Sequence, residues 1–195
     1  MSLHVIGEHL FYVFFAVLFT IMAGVPIGVC AYLFKGARRI ILTGVSILQT
    51  IPSLALIGMI MVIMGAGKHT IITGLVLYSL LPVVQNTYVG LNEVDPAIKE
   101  AAVGMGMTRL YRLIHVEMPI AFPLIFTGIR IATVTSVGVA VFAAFVGGGG
   151  LGSLIYNGIR IQNMRLIFSS TASLMGIAVL FDSVMGMVEK RLHNK

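Results

Sequence analysis

Five apolar runs, each as long as a bilayer is thick, leave this chain few ways to fold. They are Leu10–Phe34, Ile40–Met64, Thr70–Leu91, Ala121–Val146 and Leu166–Val188. A helix needs roughly 20 residues to cross about 30 Å of hydrocarbon, and every run reaches that length. Charged residues make up only 10% of the chain and mean hydropathy is +1.02, whereas an ordinary soluble domain is roughly 25% charged. A soluble domain of 195 residues has too little interior to hide so much apolar surface. The expectation is an all-α integral membrane protein, one domain over residues 1–195, with five transmembrane helices.

The first run does not read as a cleaved signal. No Lys or Arg precedes it, and its apolar stretch exceeds the usual 7–15 residues. Cys30 is the only cysteine, so no disulfide forms within the chain; bulky Val29 before it argues against a lipid anchor. The formal charge of +6 reflects the bias of Lys and Arg toward the cytoplasmic side of a membrane, and no nucleic acid is expected as a partner. With five spans, Lys35, Arg38, Arg39, Lys99, Arg109, Arg112, Lys190, Arg191 and Lys195 fall on one side, and Lys68, Arg160 and Arg165 on the other. That split puts the N-terminus outside and the C-terminus in the cytoplasm.

Prolines interrupt the spans at two polar places. Pro52 sits in Gln49-Thr50-Ile51-Pro52-Ser53, and Pro82 follows Tyr78 and precedes Gln85-Asn86-Thr87. A proline inside a helix frees a carbonyl and bends the axis. In lipid such groups must be met by protein or by a water-lined cavity. Gln49, Pro52, Ser53, Tyr78, Gln85 and Asn86 are therefore candidates to line a translocation path. Ordinary kinks packed against neighbouring helices account for the same residues.

Two ionisable residues lie deep in spans. Arg130 is about 16 Å of helical rise beyond Pro119, and Asp182 about 12 Å before Lys190, measured from the same membrane face. Each costs about 2.5–3.5 kcal/mol at the centre of a lone helix. Similar depth and opposite sign suggest an intramembrane ion pair. A role in the path, or separate water-facing partners, are the competing readings.

Between spans three and four the chain turns polar: V-D-P-A-I-K-E-A-A-V-G-M-G-M-T-R-L-Y-R-L-I-H-V-E-M-P, from Val94 to Pro119. Asp95 before Pro96 is an N-cap with proline at the first helical position. Gly104 and Gly106 end that short helix. Thr108 caps a second, in which Leu110, Leu113, Ile114 and Met118 make an apolar stripe. The expectation is two short helices joined by a glycine bend, the second along the membrane surface. Ala101, Ala102 and Gly106 would let a partner's backbone approach closely.

Glu100-Ala101-Ala102, three residues, Gly106, nine residues, then Val116-Glu117-Met118-Pro119 resembles the E-A-A-x3-G-x9-I-x-L-P coupling loop of ABC importer membrane subunits. Other segments are similar to the permeases for quaternary amine osmoprotectants: glycine betaine, carnitine and choline. These are Gln49–Ala55, Leu77–Pro82, Asn86–Leu91, Gly104–Thr108, Gly128-Ile129-Arg130 and Gly148–Gly152. The likeness runs from about Ile40 to Asp182. Two departures are a short N-terminal extension and Ser173, which stands where this subfamily often has proline.

The resemblance implies a type I ABC importer fold and a division of labour. Two permeases, copies or siblings, form the path. A separate ATPase subunit binds ATP and docks on the loop at about residues 92–118. A separate extracytoplasmic solute-binding protein delivers cargo, and the chain itself needs no cofactor. Glu100, Ala101, Ala102, Gly106 and Pro119 match the motif, and Gly104 joins them as a candidate coupling residue. The protein is expected in a bacterial cell membrane, as a transport subunit and not an enzyme.

Other chemistry finds no support in the residues. Gly147–Gly150 lacks the Gly-Lys-Ser/Thr of a phosphate loop, and reads instead as an irregular extracellular turn. The five histidines lack metal-site spacing, and His115-Val116-Glu117-Met118 is not a zincin helix. With no tryptophan in the chain, strong recognition of a trimethylammonium group is expected in the binding protein; Tyr12, Tyr78, Tyr88 and Tyr156 leave room for a weak site. A different cargo for the same machine, such as another metabolite or an amino acid, stays open. So does a secondary carrier, although no internal repeat is visible.

Overall fold

The computed structural model describes residues 3–193, so Lys195 lies outside the described residues. Nearly every described residue is helical, as a bilayer requires, because a helix satisfies its own backbone hydrogen bonds. The helices are α1 (Leu3–Leu33), α2 (Lys35–Thr50), α3 (Ser53–Met64), α4 (Lys68–Glu93), α5 (Pro96–Gly104), α6 (Arg109–Arg112), α7 (Met118–Val139), α8 (Leu151–Arg160) and α9 (Met164–His193). A π turn over Leu113–Glu117 joins α6 to α7, and a 3-10 segment over Ala140–Val146 follows α7.

Helix α4 is the centre post. It runs parallel to α1: Gly24 faces Val83 and Gly28 faces Thr87. It runs antiparallel to α7: Gly90 faces Ala121, Gly128 faces Pro82, and Ser79 bonds Ser136 at 2.9 Å. At Gly28 and Gly128 a Cβ would fall within 3 Å of the neighbouring helix, so glycine there permits the contact. Helix α9 returns along α7. One core cluster gathers Tyr12, Ile57, Ile71, Leu75 and Val137; another, toward the loop, gathers Leu91, Val94, Leu113, Ala121 and Ile125. His9, fully buried, donates from Nε2 to the Val137 carbonyl at 3.0 Å.

The second span differs from the single kinked helix the sequence suggested over Ile40–Met64. It starts at Lys35 and is two helices, α2 and α3, bent by 100°. The cause is local. Pro52 cannot continue α2, and it holds Ile51 in an extended conformation, φ −72° and ψ 128°. The bent pair runs along α4. Arg38 on α2 reaches Tyr88 on α4, and Ile57 on α3 packs on Gly74, about 21 Å apart along α4. Four helices are long and apolar enough to cross individually, and the bent pair brings the number to five where it counts as one span.

The two ends of the bundle differ. At one end are the last turn of α1, the start of α2, α5, α6 and the π turn. At the other, Gly67 donates to Val146 at 3.1 Å and the Gly150 amide donates to Glu8 at 3.2 Å. There Gly147–Gly150 is an irregular turn with positive φ at Gly147 and Gly150. It leads into α8, a short helix that the sequence reading did not separate from the turn.

Candidate functional site

The loop between α4 and α7 is built by backbone capping. Asp95 accepts from the Ala97 amide at 2.8 Å and Pro96 opens α5. At the other end the Gly106 amide reaches Val103 O at 2.9 Å, and the Met107 amide reaches Ala102 O at 3.1 Å. With Gly106 at φ 79°, this is a Schellman closure. Gly104 is the last helical residue, and Gly106 supplies the left-handed turn. Thr108 Oγ1 caps α6 by accepting from Tyr111 N at 3.4 Å.

Two expectations for the loop are corrected. No separate second helix lies on the membrane surface: α6, the π turn and α7 form one continuous helical span over Arg109–Val146. Its apolar stripe divides accordingly. Leu113 is buried, while Leu110 and Ile114 are exposed. Ala102 is not available to a partner either. It is 1% exposed, covered by its own chain. Glu100 and Ala101 face outward, as do Ile98, Val103 and Met105, and Pro119 is exposed near the start of α7. The outward surface of α5 is therefore largely apolar, with the carboxylates of Glu100 and of the N-cap Asp95.

Sequence reasoning passed over Glu117, the variable position of the motif. It is 1% exposed and its Oε1 accepts from Arg112 Nε at 2.6 Å. Arg112 and Glu117 are five residues apart, a spacing that an α-helix does not bring together; the π turn does.

Arg130 and Asp182 are in contact. The guanidinium donates from Nε to Asp182 Oδ1 at 2.8 Å. It also donates from Nη1 to Glu189 Oε2 at 2.6 Å, and the Thr127 hydroxyl bonds the other Glu189 oxygen. The group is thus one cation between two carboxylates, on the α7–α9 interface. Asp182, Gly186 and Glu189 follow i, i+4, i+7 spacing on α9, a signal that could have found Glu189 in the sequence. A cavity of about 300 Å³ adjoins these residues, with Ile131, Val134 and Thr135 in its wall. Ser173 bonds Ser169 O at 2.8 Å inside an unbroken α9.

The remaining candidates divide. Pro82 is buried, and Asn86 Nδ2 donates to Pro82 O at 2.8 Å. Both pack under Gly128 of α7. Gln85 is exposed on α4, seven residues from half-buried Tyr78 and so on the same helical side. Gln49, Pro52 and Ser53 surround the α2–α3 break, with Pro52 exposed.

A family model described as the binding-protein-dependent transport system inner membrane component matches residues 11–194. The chain belongs to this family. This permease is 35% identical over 97% of its length, and 87% of the relative's, to the glycine betaine/carnitine/choline transport system permease protein OpuCB of Bacillus subtilis (strain 168). It is 39% identical to the carnitine transport permease protein OpuCD of Listeria monocytogenes serotype 1/2a (strain 10403S), covering 92% of this chain and 81% of that one. It is likewise 39% identical to the osmoprotectant import permease protein OsmW of Salmonella typhimurium (strain LT2), covering 90% and 84%. The permease also superposes on a chain of the MetNI methionine ABC transporter in an inward-facing conformation, with TM-score 0.88, 23% identity and coverage of 98% and 99%. At that identity the likeness speaks for the fold, which is that of a type I ABC importer permease.

Proposed function

We propose that this permease is the membrane-spanning subunit of an ATP-driven importer for a quaternary amine osmoprotectant of the glycine betaine, carnitine or choline type. A second permease completes the path, a separate ATPase binds the ATP, and a separate solute-binding protein delivers cargo from outside. The loop end of the bundle faces the cytoplasm, in keeping with the Lys and Arg bias. The observation that carries this reading is the loop. Its helix α5 is capped at both ends and presents Glu100, Ala101, Ile98, Val103 and Met105 outward. A rigid projection with an exposed apolar face is suited to docking in a groove.

The path is proposed to run beside the α2–α3 break, with Gln49, Pro52, Ser53, Tyr78 and Gln85 along it. Backbone groups freed at Pro52 need water or protein at membrane depth. The test is reconstitution with the ATPase and the binding protein in liposomes. ATP-dependent uptake of labelled glycine betaine, carnitine or choline is expected. Uptake of methionine instead would replace the cargo but keep the machine; uptake that runs without ATP would make the chain a carrier.

A further inference from the structure

Where the loop meets the spans, side chains from α1, α5, α6 and the π turn meet around one buried carboxylate, which Arg112 pairs directly. Glu117 of the π turn, 1% exposed, is paired with Arg112 at 2.6 Å. Tyr32, in the last turn of α1, lines the same small cavity as Glu117, whose second carboxylate oxygen is buried with no hydrogen-bond partner among the described residues. Lys99 of α5 sits 5.3 Å over the Tyr32 ring and donates to Leu91 O at 3.0 Å. Arg109 donates to Leu33 O, the end of α1, at 2.9 Å. A cavity of about 170 Å³ at this junction is lined by Tyr32, Lys35, Arg109, Arg112 and Glu117, among others.

Glu117 owes its place to Pro119. Proline has no amide hydrogen for the His115 carbonyl, and its ring would press on that carbonyl in an α-helix. The turn widens, and the Met118 amide bonds Leu113 O instead. Such π turns recur at functional positions in helices.

We propose that Glu117, Arg112 and Tyr32 are positioning residues that clasp the loop to α1 and α7, so that the loop and these helix ends move as one body. The proposal rests on the coupling role given above. Without a clasp, a displacement of α5 would be absorbed at the exposed bend of Met105–Thr108. A buried carboxylate resists sliding away from its guanidinium, because separation strands a charge away from water. One residue, Phe34, separates α1 from α2, so a displacement at Tyr32 and Leu33 is delivered to the inner half of the broken span.

The test uses the reconstituted complex and two variants: Tyr32→Phe, and the double change Arg112→Met with Glu117→Leu, which removes both charges and keeps apolar bulk. Spin labels at Ala97, exposed in the first turn of α5 and outside the proposed docking set, and at Arg39, in a Cys30→Ser background, report the distance between α5 and α2. Expected for the unmodified clasp is a distance that nucleotide does not change. In the double variant the distance should shift or broaden on ATP binding. Its uptake of glycine betaine per ATP hydrolysed should fall roughly tenfold, within the range of ordinary coupling energies, while the ATPase stays bound and hydrolyses ATP. Tyr32→Phe should show a smaller loss of the same kind. A double variant with unchanged distances and unchanged uptake per ATP would overturn the proposal and leave the pair a packing feature. So would release of the ATPase from the double variant, since that would place the pair in docking. A wild-type complex without ATP-dependent uptake of any osmoprotectant defeats the transport reading itself, and is seen before any variant is made.

Discussion

Arg130 and Glu189, 59 positions apart, meet at 2.6 Å on the α7–α9 interface. Asp182 takes a second edge of the same guanidinium at 2.8 Å. The side chains are unequally covered: Glu189 is 15% exposed, Arg130 29% and Asp182 48%. The three therefore contribute unequally, and the middle member matters most.

Arg130→Met removes the cation from two carboxylates and should destabilise by about 3 kcal/mol, the low end for breaking a buried pair. Asp182→Asn leaves Arg130 with Glu189 and should cost about 1 kcal/mol or less, as for an exposed pair. The double change Arg130→Met with Asp182→Leu should recover only part of the loss, since Glu189 still lacks the guanidinium. Adding Glu189→Gln should recover more. Thermal unfolding in detergent checks the order; equal losses at Arg130 and Asp182 would contradict the three-member arrangement.

Gly106 acts through its backbone. Its φ is 79°, and a Cβ there would meet nothing within 4 Å. Gly106→Ala should cost about 1 kcal/mol, the penalty for a left-handed L residue, while Gly106→Asn should cost less. Melting curves of the isolated permease measure this without any partner. An unchanged melt for Gly106→Ala, with lost ATPase binding, would move the role of Gly106 to the docked interface.

Ala102 and Ala101 should separate folding from docking. Ala102 is buried and Ala101 exposed. Ala102→Glu forces a charge into the packed junction and should destabilise the chain by about 3 kcal/mol or more. Ala101→Glu should melt within about 0.5 kcal/mol of wild type, as for surface changes, yet weaken ATPase capture. Loss of capture with both variants melting normally would mean that Ala102 becomes available in the complex.

Gly128 sets the α4–α7 crossing. A Cβ there would lie 2.5 Å from Pro82 O and 2.8 Å from Asn86 Cβ. A backbone carbonyl cannot rotate away as a side chain can, so Gly128→Ala should cost about 1–3 kcal/mol by overpacking. Gly138, with nothing within 4 Å, is the control: Gly138→Ala should be tolerated. Detergent melting of both variants tests the contrast.

Much of the architecture was legible in the sequence because its causes are local. Span length follows from bilayer thickness, so the apolar runs located the helices long enough to cross. The Asp95 cap, the Pro96 start and the Thr108 cap followed from side-chain chemistry within one turn. Gly106 was read correctly as ending α5, but spacing does not reveal the left-handed backbone angle that makes glycine fit there. Opposite charges at similar depth brought Arg130 and Asp182 to attention. Glu189 was passed over because it lies just past the apolar run, where a carboxylate costs little.

Tertiary structure decided what depends on which helices touch. Pro52 signalled a bend, but how the two halves of the second run lie along α4 depended on Arg38 meeting Tyr88 and Ile57 meeting Gly74. Pro82 and Asn86 could equally have faced a cavity; the close approach of Gly128 assigned them to packing. Ala102 looks as open as Ala101 until the junction with the π turn covers it. The sequence by itself determined the spans, the caps and the loop, since hydropathy and capping act within a few residues. Burial and pairing at Ala102, Glu117, Arg130 and Glu189 arise where helices cross, and only the assembled bundle sets those crossings.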